Sequence, residues 1–175
     1  ADEHESMMSK LSLRALVGAG FLLLLANTGY IAAFASPTIF YMTSVLGHLV
    51  LGVLLAVLFG ALVLRDPEVR RATLLAVLPM AASLVFAVWL VSVGNLKEHA
   101  WVWKAHIIAS AVGVAALLPM AFTWLRRGGG ARTFAMALPI LAAFALVFPL
   151  AAHRYQQSHP AFAGRIVNQI GRASC

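Results

Sequence analysis

The chemistry open to this chain lies in its histidines. Of the six, His4 sits in a polar start, while His48, His99, His106, His153 and His159 lie within or beside long apolar runs. An ionisable group placed in such a run is costly and calls for a reason, and for a neutral imidazole the usual reason is ligation, proton movement or a hydrogen bond. Other reactive residue types are scarce there. All six acidic residues, Asp2, Glu3, Glu5, Asp66, Glu68 and Glu98, fall in tails or loops. That disfavours a proton or cation pump, which commonly uses intramembrane carboxylates. It also weakens a zinc or copper site, which needs carboxylate or thiolate partners. The single cysteine, Cys175, completes no Cys-x-x-Cys or haem-attachment motif within these residues and can form no internal disulfide.

The elements that must position the histidines are membrane helices. The 175 residues are 62% hydrophobic and only 11% charged, with a mean hydropathy of +0.88, against about 25% charged residues in a soluble domain. A bilayer core needs roughly 20 apolar residues in helix. Five stretches meet or approach that length, at 11–34, 39–64, 72–93, 100–125 and 133–152. The expected fold is therefore all-α, an integral membrane bundle of about five transmembrane helices. A polar tail at 1–10 precedes it and a second tail at 153–175 follows. Ser36-Pro37-Thr38, Arg65-Asp66-Pro67-Glu68, Gly94-Asn95 and Arg126 to Gly130 supply the breaks. Pro79, Pro119, Pro139 and Pro149 lie inside apolar runs, where neighbouring helices can satisfy the freed backbone groups. No repeat or low-complexity tract stands out beyond the short glycine run.

Charge orients the bundle. The net charge of +7 comes from basic residues set between apolar runs, where they act as topology signals and not as a nucleic-acid surface. Lys10, Arg14, Arg65, Arg70, Arg71, Arg126, Arg127 and Arg132 fall on the side of the N-terminus. Lys97, Lys104, Arg154, Arg165 and Arg172 fall on the other. The positive-inside rule then puts the N-terminus in the cytoplasm and the C-terminal tail outside. A start left by signal cleavage would put that first segment outside instead, and the loop charges argue against it. Tyr30, Phe34, Phe40, Tyr41, Trp101, Trp103 and Tyr155 form an aromatic belt at the outer boundary, with Trp89 deeper and Trp124 at the inner one.

With that orientation, His48, His99, His106 and His153 gather in the outer half. His48 lies nine residues into the second helix and His106 six into the fourth. Their depths are therefore roughly 13 and 9 Å, a match within the error of helix boundaries. Two imidazoles at one depth on two parallel-running helices suit axial ligation of a haem held between helices. Gly47 and Gly52 beside His48, and Ala105, Ala109, Ser110 and Gly113 around His106, could let the backbones stand aside for a flat ring. Close helix packing explains the same small residues equally well. His99, two turns before His106, could replace it, hold a second haem with His153, or sit solvated at the interface. Lys97, Lys104 and Arg154 could neutralise propionates, or simply snorkel. His159 in the tail carries little weight.

The run Ser36-Pro37-Thr38-Ile39-Phe40-Tyr41 leading to Gly47-His48-Leu49, followed by His99 and by Ala105-His106-Ile107, resembles the membrane-embedded b-type cytochrome modules of bacterial electron-transfer proteins. The resemblance spans roughly Ala35 to His159. Some proteins with a similar membrane region carry a periplasmic multihaem c-type cytochrome domain after the last helix. Gly164-Arg165-Ile166-Val167-Asn168 resembles the connection into such a domain.

The expectation is a subunit of an oxidoreductase complex in the bacterial inner membrane, binding haem b between helices two and four. It would pass electrons between the quinone pool and an acceptor at the outer face, such as a periplasmic cytochrome c or another redox subunit. His48 and His106 are the expected iron ligands, with His99 and His153 in reserve and Gly52 and Arg154 beside the cofactor. The number of haems, one or two, stays open. Asn27 and Tyr30 are candidates for a quinone contact. Two other classes remain: a cofactor-free structural anchor of a larger membrane complex, and a small transporter whose histidines bind a metal or proton.

Overall fold

A computed structural model describes residues 2–34, 38–94, 97–127 and 132–158. Ser36, Pro37, Asn95, Gly128 to Gly130, His159, the segment 164–168 and Cys175 lie outside the described residues. Five long helices make up the fold: α1 (Asp2–Ala33), α2 (Ile39–Arg65), α3 (Pro67–Val93), α4 (Ala100–Arg127) and α5 (Arg132–Ser158), with a 3₁₀ turn, Lys97–His99, leading into α4. All five are long and apolar enough to cross a membrane. The protein is a multi-pass membrane protein. Leu23, Val57, Leu78, Ile108 and Leu146 are exposed on its outside, where lipid would cover them. The four interior prolines sit within unbroken helices, as expected of membrane spans.

The helix ends differ from the expected ones for physical reasons. Hydropathy marks where a helix leaves lipid, not where it stops. Thus α1 runs back to Asp2 through the polar segment 1–10, although its membrane-spanning part begins at Leu13. At the other end of the chain α5 continues past 152 to Ser158, so that His153 and Arg154 lie on a helix. Between α2 and α3 the charged break contracts to one residue, Asp66, in an extended conformation. Its carboxylate accepts hydrogen bonds from the backbone N–H groups of Glu68 and Val69 at 3.1 and 3.3 Å. Pro67 follows at the position where a helix needs no donor, so a strong cap starts α3 at once. At the far end of α3, Gly94 closes the helix with a φ of +71°, a conformation that glycine adopts without penalty.

The helices form a ring in which each packs on its sequence neighbours and α5 closes back on α1. The α3–α4 contact is the most extensive, and α2–α3 the sparsest along the ring. Glycines allow the closest approaches. A Cβ at Gly29 would fall 2.6 Å from the Phe144 ring and 3.3 Å from Cα of Ala145, so α1 and α5 meet there almost backbone to backbone. Gly113 likewise admits Met80 of α3, the close packing that was one of the two readings open for it.

The two clusters of the apolar core lie toward the end of the bundle that holds the start of α1, while Ala33 and Val102 are buried at the other. Leu25, Ala76, Leu117, Met120, Ala121, Ala135 and Leu138 form its main cluster, and Val17, Leu62 and Val69 a second. At that same end Arg14 on α1 donates to the buried carboxylate of Asp66 at 2.7 Å and to Glu68 at 3.1 Å. Arg14 thus ties α1 to the α2–α3 junction, a role beyond marking topology. His48, His99, His106 and His153 occupy the opposite half.

Candidate cofactor site

In the histidine half, polar side chains from four helices are wholly or partly buried. Ser83 on α3 is buried, and Thr28 on α1, His48 on α2, and His106 and Ser110 on α4 are half-buried. His48 and His106 stand on α2 and α4, which do not pack as ring neighbours.

The hydrogen bonds of His106 settle its tautomer. Nδ1 lies 2.9 Å from the carbonyl oxygen of Ser83, which can only accept, so Nδ1 carries the proton. The surrounding hydroxyls agree with this assignment. Ser110 donates to the carbonyl oxygen of His106 at 2.7 Å. Its single proton is then spent, so Ser83 must donate across the 2.7 Å contact to the Ser110 hydroxyl. The Ser83 oxygen is left to accept a second branch from His106 Nδ1 at 3.1 Å. The circuit closes with every proton placed. In the neutral ring Nε2 then holds a free lone pair.

His48 is held more loosely, by a contact that assigns it no tautomer. Thr28 donates its hydroxyl proton to the Leu24 carbonyl at 2.8 Å, and its oxygen stands 3.5 Å from His48 Nδ1. That distance is at the limit for a hydrogen bond. Among the described residues Nε2 of neither ring makes a hydrogen bond. Beside His48, positions 47 and 52 have no atom within 4 Å of where a Cβ would stand, so Gly47 and Gly52 face open space.

The other expected residues are placed differently. His99 lies on the 3₁₀ turn and not on the regular face of α4, and its Nδ1 is buried with no hydrogen-bond partner among the described residues. His153 is exposed on α5, where Gln157 donates to its Nε2 at 2.9 Å, and Arg154 and Lys104 are exposed as well. Asn27 is occupied in tying α1 to α2, donating to the Ser44 carbonyl at 2.9 Å. Tyr30 packs edge-on against Phe40 and tilted on Phe34. Trp89, expected deeper than the belt, meets Trp101 edge-on at 5.1 Å. A cavity of about 670 Å³ opens at the opposite end, lined by Asp66, Glu68, Arg71, Met120, Thr123 and Trp124 among others.

Sequence reasoning missed Thr28 and Ser83. A lone hydroxyl in an apolar helix has no periodic signature. Their offsets from the histidines span helices and become informative only once the ring is closed.

No model of a protein family, no curated protein and no solved structure matches this chain.

Proposed function

We propose that this protein is a membrane electron-transfer subunit that would hold haem b between α2 and α4, with His48 and His106 as the residues that would bind its iron. The observation that carries this reading is the pair of half-buried imidazoles on α2 and α4, that of His106 with its proton held on Nδ1 by the Ser83 carbonyl and its Nε2 without a hydrogen bond among the described residues. Histidines that bind a metal commonly donate the other ring N–H to a carbonyl or similar acceptor, which fixes the ring and raises its basicity. Among the described residues no three His, Cys, Asp or Glu groups converge. Two imidazoles fall short of a closed zinc set, whereas a porphyrin brings its own equatorial nitrogens.

Bound haem would supply reversible one-electron chemistry. The chain's part is to hold both rings at one depth, exclude water with an apolar sheath and set the electron density on each Nε2. Lys104 and Arg154, exposed at the same end, would offset propionate charge. The basic loops at the other end support a cytoplasmic N-terminus in a bacterial inner membrane. Electrons would pass between quinol and an acceptor at the outer face, a periplasmic cytochrome c or another redox subunit. A reduced-minus-oxidised visible spectrum of the purified protein tests the proposal. Soret and α bands are expected, and their absence under conditions that retain haem would leave a cofactor-free anchor as the better reading.

A further inference from the structure

The two histidines are held unequally, and the difference bears on what the site can do. His106 Nδ1 donates to two acceptors of Ser83 at 2.9 and 3.1 Å, inside the circuit completed by Ser110. It stands on α4, within the most extensive helix contact of the bundle. His48 has one partner at 3.5 Å, a hydroxyl whose own proton is committed to Leu24. It stands on α2, whose contact with α3 is the sparsest in the ring, and glycines with open space lie on either side of it. A ring fixed through Nδ1 is both the more basic ligand and the one that cannot turn away. A ring with only a marginal hydrogen bond costs little to release.

We infer that His106 is the permanent ligand and His48 a releasable one, so that the position on the α2 side of the iron can open to a small neutral diatomic ligand. This rests on the haem reading above. In the exchange the bond from iron to His48 Nε2 breaks and one from iron to the incoming ligand forms, with no change in electron count. Ser83 and Ser110 are positioning residues for His106. Thr28 gives His48 only a loose counterpart.

The test uses the dithionite-reduced protein in lipid nanodiscs, titrated with carbon monoxide. The wild type is expected to give a carbon monoxide difference spectrum. His48→Ala should keep its haem and bind carbon monoxide at lower concentration, whereas His106→Ala should lose the haem while keeping its helical circular dichroism. A haem-containing wild type that stays low-spin and unreactive at saturating carbon monoxide overturns the inference and leaves the haem reading intact. Equal haem loss in the two variants does the same. A wild type with no Soret band removes the haem reading and this inference with it.

Discussion

The imidazole of His106 on α4 donates through Nδ1 to the backbone carbonyl of Ser83 on α3 at 2.9 Å, and that bond fixes which ring nitrogen is left to act. The carbonyl is part of the α3 backbone and survives any side-chain change at position 83. Substitution of the two serines should therefore tune the site without abolishing it. With Ser83→Ala or Ser110→Ala the protein should retain haem, and its reduction potential should rise, because a less strongly held Nδ1–H makes Nε2 a poorer electron donor to iron. Each change should cost about 0.6–2 kcal/mol of stability, the range for hydrogen bonds between membrane helices. Potentiometric titration followed optically checks the first expectation. An unchanged or lowered potential in both variants would show that the circuit does not act on His106.

Two glycines of the bundle should respond in opposite ways. Gly29→Ala forces a Cβ against the Phe144 ring and the Ala145 backbone and should destabilise the bundle by about 1–3 kcal/mol, read as earlier thermal unfolding in detergent. Gly52→Leu meets open space and should leave thermal unfolding of haem-free protein nearly unchanged. If the space beside His48 serves the cofactor, the same variant should bind less haem. Full haem content in Gly52→Leu would show that this space is not used.

At the opposite end Asp66 combines the cap of α3 with the ion pair to Arg14, so two substitutions separate its roles. Asp66→Asn keeps a capping oxygen and loses the charge. Asp66→Ala loses both and should be the more destabilised, the cap alone contributing about 0.5–2 kcal/mol. Equal unfolding temperatures for the two variants would show that the cap contributes nothing.

The same carboxyl predicts a pH dependence. Burial alone would raise its pKa, but the bonds from Arg14 and from the N–H groups of Val69 and Glu68 outweigh burial and hold it below the usual carboxylate value. A folded-state pKa below the unfolded one gives stability that is complete above the unfolded value of about 3.9 and is lost as pH falls through the folded one. The contribution of Asp66 should be constant from pH 7 to 5 and should fade below about pH 4. Asp66→Asn should flatten that part of the curve, and an unflattened curve would assign the acid sensitivity to another group.

The apolar runs were enough to place all five spans and to read the interior prolines as tolerable, because in a bilayer length and hydropathy constrain a helix almost by themselves. Helix rise likewise turns the sequence offsets of His48 and His106 into an expected common depth. What escaped were features that depend on neighbours. Asp66 looked like part of a charged loop until its carboxylate was seen to bond both to the next helix and to Arg14 on another. Gly113 could serve a flat ring or a close packing, and only the position of Met80 decides between them. His99 was assigned the face of a helix that begins one residue after it.

The most direct measurement is the low-temperature electron paramagnetic resonance spectrum of the oxidised protein, recorded for the wild type and for His48→Ala and His106→Ala. The wild type should show a low-spin ferric signal of bis-imidazole type, and each substitution should abolish it. Absence of any low-spin ferric signal from the wild type, or its survival in both variants, would contradict the account.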